Sequence, residues 1–288
     1  MHTPEPTQHD FPSQRLRMRY VDWGNTDAPT ILLIHGARDH ARSWDAVAQA
    51  LRHDWHVVAV DLRGHGDSDW SPDGAYAAPY FVGDLDAFVR HLGDAPVTIV
   101  AHSLGAAISL RFAGLYPERV TRLAAIEGLG LIQPERDKPF DALWRTFIDT
   151  RAALPQRTPR RYATLDDATA RMHAANPHLS QELARHLTVH GVRENADGTL
   201  SWKFDNFLHA RFPADISNEQ LRALWRAITC PVWLVHGGAS WARHPTEEGR
   251  AAEFRDARIT SFPGAGHWVH HDSQDAFVTA LKAFLADA

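Results

Sequence analysis

The chain has 288 residues, of which 44% are hydrophobic and 23% are charged, an ordinary balance for a globular protein. Its formal net charge of −5 gives no electrostatic footprint for nucleic acid or an anionic membrane, and no apolar run approaches the roughly 20 residues of a membrane span. The single cysteine, Cys230, excludes an internal disulfide, and residues 1–12 lack the apolar core of a signal peptide, so we expect a soluble, cytoplasmic protein.

Short buried strands alternate with helices through the first half of the chain. Residues 1–14 are expected to form a loose arm in which Phe11 can pack, and residues 15–23 alternate apolar and polar side chains as a strand does. Apolar runs, typical of strands buried on both faces of a parallel sheet, follow at residues 30–34, 56–60 and 97–101, and the next strand is expected at residues 120–126. Helical patterns separate these runs. The alternation predicts a doubly wound, mostly parallel α/β sheet.

The alternation is interrupted in the second half of the chain. Residues 129–227 contain polar amphipathic helical stretches, broken by prolines, and no convincing buried strand. A segment this long is not a structureless loop inside a domain. We therefore predict an inserted helical cap at residues 129–227 and a core formed by residues 1–128 and 228–288. Two further strands and a final helix ending at Asp287 complete the core.

A serine follows the β-branched run at residues 97–101, in the sequence Ala101-His102-Ser103-Leu104-Gly105, and an alanine-rich helical pattern begins at once. A strand-to-helix turn this tight needs small residues beside it and exposes the central hydroxyl at the end of the strand. A helix-capping serine is the alternative. The strand before it and the helix after it favour a nucleophile.

Cofactor and metal motifs are missing from the sequence. The 19 histidines are scattered and form no His-Glu-x-x-His pattern, and there is no glycine-lysine phosphate loop. The sequence therefore predicts neither a metal nor an organic cofactor. His270 and His271 are expected to begin the final helix on its exposed side.

Four short motifs follow one another along the chain, and each lies at the end of a predicted strand. They are His35-Gly36-Ala37, the Asp-x-Arg-Gly-x-Gly-x-Ser stretch at residues 61–68, the serine turn, and Gly264-Ala265-Gly266-His267. In this order the chain resembles the α/β-hydrolase superfamily over nearly its whole length. The resemblance implies Ser103 as nucleophile and His267 as general base, with the backbone N–H groups of Ala37 and Leu104 forming the oxyanion hole.

The acid of the triad departs from the commonest family pattern. Ser240 stands where an aspartate usually follows the strand at residues 231–236. Some family members, including lactonases of the zearalenone type, hold the acid at the strand end occupied here by Glu127. We expect Glu127 to be the acid, with Asp205 of the insertion as the alternative.

A serine nucleophile suits attack on a carbonyl group, whereas epoxide hydrolases and haloalkane dehalogenases of this fold need an aspartate at position 103. Arg38, Trp241 and Trp268 are expected at the substrate pocket. With an insertion rich in aromatic residues, this predicts a small hydrophobic ester or lactone as substrate. A carbon–carbon bond hydrolase, an amidase or perhydrolase, and a small-molecule receptor with little turnover are the alternatives.

Overall fold

The computed structural model describes residues 5–129, 139–213 and 216–286. Asp287, the predicted end of the last helix, and Pro134 of the insertion lie outside these ranges. In chain order the strands are β1 (Thr7–Ser13), β2 (Leu16–Asp22), β3 (Thr30–Ile34), β4 (His56–Val60), β5 (Val97–His102), β6 (Val120–Ile126), β7 (Val192–Glu194), β8 (Leu200–Trp202), β9 (Val232–Gly237) and β10 (Ala257–Phe262).

The helices lie between and around these strands. They are α1 (Asp45–Leu51), α2 (Ala78–His91), α3 (Leu104–Leu115), α4 (Phe140–Ala153), α5 (Leu165–Ala175), α6 (Gln181–Gly191), α7 (Asn218–Ala227), α8 (Val269–Asp272) and α9 (Gln274–Ala286). None of those within the described ranges combines the length and the apolar character needed to cross a membrane.

Eight of the strands form one sheet in the order β1-β2-β4-β3-β5-β6-β9-β10. The pairs from β4 to β10 are parallel, while β1 with β2 and β2 with β4 are antiparallel. Because strand side chains alternate between faces, Leu32 and Ile34 pack into one apolar layer and Ile31 and Leu33 into the other. This confirms the predicted doubly wound, mostly parallel α/β sheet.

The N-terminal segment is more ordered than predicted. Residues 7–13 form the edge strand β1, and Phe11 is buried in the core with a stacked contact to Phe88. The expectation of a loose arm was wrong. Strand β1 is mostly polar and exposed, so its sequence shows no burial pattern from which a strand could be predicted. Its order comes from pairing with β2.

The inserted segment differs from the prediction at two places. Strands β7 and β8 form a short antiparallel pair within residues 129–227, where no strand was predicted. Helix α7, assigned to the cap, buries Leu221 and Trp225 in the same apolar layer as α2 and α3. An amphipathic sequence shows that one helix face is buried but does not show which partner covers it.

A buried carboxylate links β1 to the second motif. Asp84 of α2 accepts hydrogen bonds from Ser13 Oγ at 2.6 Å and from Arg63 Nε and Nη2 at 2.5 and 2.7 Å. Arg63 and Asp84 are 2% and 3% exposed, so the ion pair is almost fully removed from water. Removing one partner of such a pair leaves an uncompensated charge in the interior.

We expect Asp84→Ala to lower the free energy of unfolding by about 3–5 kcal/mol, measured by urea denaturation. The matched control is Asp166→Ala, which removes the exposed ion pair with Arg185. That change should cost less than about 1 kcal/mol. Equal losses in the two variants would contradict the assignment of Asp84 as a buried anchor.

Candidate active site

Ser103 lies at the strained junction of β5 and α3. Its backbone has φ 50° and ψ −111°, a conformation that side-chain-bearing residues rarely adopt, and its N–H donates to the carbonyl of Ile126 at 2.8 Å. A Cβ on Gly105 would lie 2.6 Å from the carbonyl oxygens of Ile34 and His35. The predicted need for a small residue at this position therefore has a steric cause.

His267 lies on the loop between β10 and α8. Its Nε2 is 3.0 Å from Ser103 Oγ, within hydrogen-bonding distance. The backbone carbonyl of His267 accepts a hydrogen bond from His102 Nε2 at 2.9 Å. Burial holds the pKa of the His102 imidazole well below its usual range, so this ring is a neutral donor that fixes the loop.

Glu127 lies directly after β6, and its side chain is fully buried. Its backbone φ is 53°, which turns the chain at the end of the strand. Oε1 accepts the N–H of Gly237 at 2.6 Å, and Oε2 accepts Ser240 Oγ at 2.6 Å. The same Oε2 lies 3.2 Å from His267 Nδ1. The three side chains of Ser103, His267 and Glu127 thus form one continuous hydrogen-bonded chain.

Ser240 has a role that the sequence reasoning missed. It occupies the turn after β9 where an aspartate was expected, and its hydroxyl holds the carboxylate of Glu127. The sequence signal for this role was the serine at the position of the expected aspartate. A serine hydroxyl there can donate a hydrogen bond to a carboxylate that comes from another strand end. Asp205, the alternative acid, instead accepts the hydroxyl of Tyr76 at 2.5 Å and the N–H of Phe207 at 3.0 Å.

Two backbone N–H groups were expected at the oxyanion hole, those of Leu104 and Ala37. Leu104 is the first residue of α3, and the first N–H groups of a helix have no partner within it. Gly36 precedes Ala37 and lies against Ser103, since a Cβ there would be 3.2 Å from Ser103 Cβ. Both loops therefore reach the serine side chain from neighbouring strand ends.

The three residues expected at the substrate pocket lie in different surroundings. Trp241 is 71% exposed, and its ring centroid is 4.7 Å from that of His267. Arg38 has φ 63° and lines a small cleft together with Met172 and Phe204 of the insertion. Trp268 is half-buried and packs against an apolar cluster formed by Leu179, Ala184 and Leu187.

His270 and His271 differ from the sequence expectation. They belong to the short helix α8 and are 1% and 8% exposed, so the predicted exposed position is wrong. His270 stacks on Trp44 with ring centroids 4.4 Å apart. A separate one-turn helix between His267 and α9 turns both rings into the protein.

Comparison with known proteins identifies the family to which the chain belongs. The sequence model described as the alpha/beta hydrolase family matches residues 31–280. A serine hydrolase-like protein of Danio rerio is 31% identical over 175 residues, which are 60% of this chain and 54% of that protein. The sn-1-specific diacylglycerol lipase ABHD11 of Mus musculus is 28% identical, covering 91% of this chain and 83% of the lipase.

Among solved structures, a thioesterase domain from the curacin biosynthetic pathway superposes with a TM-score of 0.86. The two are 22% identical, and the match covers 97% of this chain and 100% of that domain. This likeness extends the agreement in fold over nearly the whole chain.

Proposed function

Because this chain belongs to the alpha/beta hydrolase family, we propose that it is a serine hydrolase that cleaves a carboxylic ester or lactone. The observation that carries the proposal is the hydrogen-bonded chain from Ser103 Oγ through His267 to Glu127, with links of 3.0 and 3.2 Å. The names of two relatives, a serine hydrolase-like protein and a diacylglycerol lipase, are consistent with it.

In the proposed reaction, Ser103 Oγ attacks the acyl carbon while His267 Nε2 accepts the hydroxyl proton. The oxyanion of the tetrahedral intermediate receives hydrogen bonds from the N–H groups of Leu104 and Ala37. His267 then returns the proton to the departing alkoxide, which leaves an acyl group on Ser103. Water, activated by the same imidazole, attacks this ester and restores the free serine.

Glu127 supports the base without exchanging a proton with it. A carboxylate next to Nδ1 fixes the tautomer in which Nε2 is free to accept a proton. It also stabilises the imidazolium that forms during each proton transfer. The N–H of Gly237 and the hydroxyl of Ser240 hold that carboxylate in place, which limits reorganisation during the reaction.

The test is labelling with a fluorophosphonate probe, followed by mass spectrometry of the modified peptide and a panel of esters and lactones. We expect one phosphonate on Ser103 and hydrolysis that prefers hydrophobic acyl groups. If the folded protein resists the probe and leaves the whole panel intact, the proposal fails. Turnover confined to diketones or to amides would favour a carbon–carbon bond hydrolase or an amidase on the same residues.

The position of Trp241 over His267 predicts an effect on substrate choice. An exposed ring next to the reacting groups can stack on an aromatic acyl or alcohol group, an interaction worth about 0.5–1.5 kcal/mol. We expect Trp241→Ala to lower kcat/KM about 3- to 10-fold for aromatic esters and to leave acetate esters nearly unchanged. Trp241→Phe, which retains an aromatic face, is the control. Equal losses for both kinds of ester would contradict a substrate contact.

A further inference from the structure

Three side chains that are distant in sequence meet beside the candidate active site. Asp39 lies in the loop after β3, and His270 and His271 belong to α8. They are 5%, 1% and 8% exposed, respectively. One ligand atom from each lies within 4.8 Å of the others. Two imidazoles and a carboxylate therefore face one another in the interior, a few residues from Ala37 on one side and from His267 on the other.

The polar atoms of this group are not satisfied by the part of the chain that the structure describes. Asp39 Oδ2, His271 Nε2 and both ring nitrogens of His270 are buried without a hydrogen-bond partner there. Buried polar atoms in native proteins are almost always paired with protein, water or an ion. Four such atoms in one cluster point to an occupant that binds to both carboxylate and imidazole.

A second group of the same composition shows the contrast. Asp45, His186 and His190 also lie within 4.8 Å of one another. There, however, Arg42 Nε donates to both carboxylate oxygens of Asp45 at 2.9 and 2.8 Å. His186 Nε2 lies 3.2 Å from the carbonyl of Arg42. A resident guanidinium already supplies the positive charge, so this group does not call for an ion.

We propose that Asp39, His270 and His271 bind one first-row divalent transition-metal ion, with Zn²⁺ as its representative. Imidazole nitrogen and carboxylate oxygen are the usual ligands of Zn²⁺ outside thiolate sites, at about 2.0–2.2 Å. Three protein ligands leave a fourth position for water. Ligand atoms around such an ion lie about 3.3 Å apart in tetrahedral geometry, so atoms that are now up to 4.8 Å apart move closer together on binding.

Asp39 Oδ1 accepts the N–H of His40 at 2.9 Å, so Oδ2 is the carboxylate oxygen that has no partner among the described residues. The sequence predicted no metal because its histidines follow no ligand spacing, and only the fold brings these together.

The test uses the full chain, stripped with a chelator and titrated with Zn²⁺ by calorimetry and with Co²⁺ by visible absorption. We expect one bound ion per chain, a visible absorption spectrum typical of four-coordinate Co²⁺, and a Tm that rises with free Zn²⁺ concentration. Loss of a residue that only hydrogen-bonds to a metal ligand weakens metal binding about 10- to 100-fold. Asp39→Asn and His271→Gln each remove a ligand and should therefore weaken Zn²⁺ binding by a larger factor. His186→Gln, in the second group, should bind as the wild type does.

Anomalous diffraction at the zinc edge tests the site in the wild-type protein, so it does not depend on whether a variant folds. A peak between Asp39, His270 and His271 in wild-type crystals supports the site. The absence of any bound ion, with water at these atoms instead, overturns it. So does a single ion that is lost in His186→Gln and kept in Asp39→Asn.

Discussion

Replacement of Ser103 by alanine is expected to lower kcat on an ester substrate by about 10⁶-fold, the size of effect that follows loss of a serine nucleophile. The alanine leaves His267 and the proposed oxyanion hole in place but removes the atom proposed to form the acyl intermediate. The remaining rate then comes from water attack assisted by those groups. The measurement is single-turnover and steady-state hydrolysis of the best ester found in the panel, together with loss of fluorophosphonate labelling.

Ser109→Ala is the matched control, since Ser109 lies on the same helix and is fully buried. Its hydroxyl donates to the carbonyl of Gly105, one turn earlier in α3, at 2.7 Å. We expect its kcat to stay within a factor of a few of wild type. A Ser103→Ala enzyme with wild-type turnover would remove Ser103 as the nucleophile. Tight ligand binding with negligible hydrolysis, the same in wild type and Ser103→Ala, would instead indicate a receptor.

The parts of the fold that could be predicted are those whose burial shows in the hydrophobic pattern of the segment itself. Strands β3, β4 and β5 are mostly apolar and buried because both faces of a central parallel strand are covered, and β6 is buried in the same way from Leu123 onward. Edge strand β1 is mostly polar, and it is ordered by tertiary contacts, namely pairing with β2 and the burial of Phe11 and Ser13, so no local sequence pattern predicted it. Helix α7 falls within the segment for which helical stretches were predicted, but its partner α3 lies more than 100 residues earlier in the chain.

The candidate site shows the same division. Ser103 and His267 lie within short motifs that carry their own structural context, a strand-to-helix turn and a glycine loop. Glu127 was inferred because Ser240 replaced the expected aspartate. The hydrogen bond between those two residues could not be read from the sequence, since 113 residues separate them. The pairing of Asp39 with His270 and His271 is of the same kind, a contact made only by tertiary structure.

Replacement of Glu127 by glutamine is expected to lower kcat by about 10⁴-fold, with the overall structure retained. Glutamine has nearly the same shape and can still accept the N–H of Gly237. It has no charge, however, so it cannot stabilise the His267 imidazolium, and its amide can favour the wrong imidazole tautomer. The measurement is kcat on the ester used for Ser103→Ala. Glu247→Gln is the control, since this carboxylate instead accepts the N–H of His244 at 2.9 Å.

The vacant acid position at Ser240 makes the assignment of Glu127 testable by gain as well as by loss. Ser240 Oγ lies 2.6 Å from the Glu127 oxygen that faces His267 Nδ1. A carboxylate introduced at position 240 can therefore approach the same imidazole nitrogen. We expect Glu127→Gln/Ser240→Asp to recover at least about 10-fold of the kcat lost in Glu127→Gln, by restoring a charge next to the imidazolium.

Ser240→Asp alone should behave in the opposite way. It places two carboxylates together in a buried site, where like charges disfavour the ionised pair. We therefore expect it to lower the free energy of unfolding and to lower kcat relative to wild type, while the double variant exceeds Glu127→Gln. This reversal of sign between the two backgrounds is specific to a shared acid position. If Glu127→Gln keeps wild-type kcat, or if Ser240→Asp acts equally in both backgrounds, then Glu127 is not the acid that His267 uses.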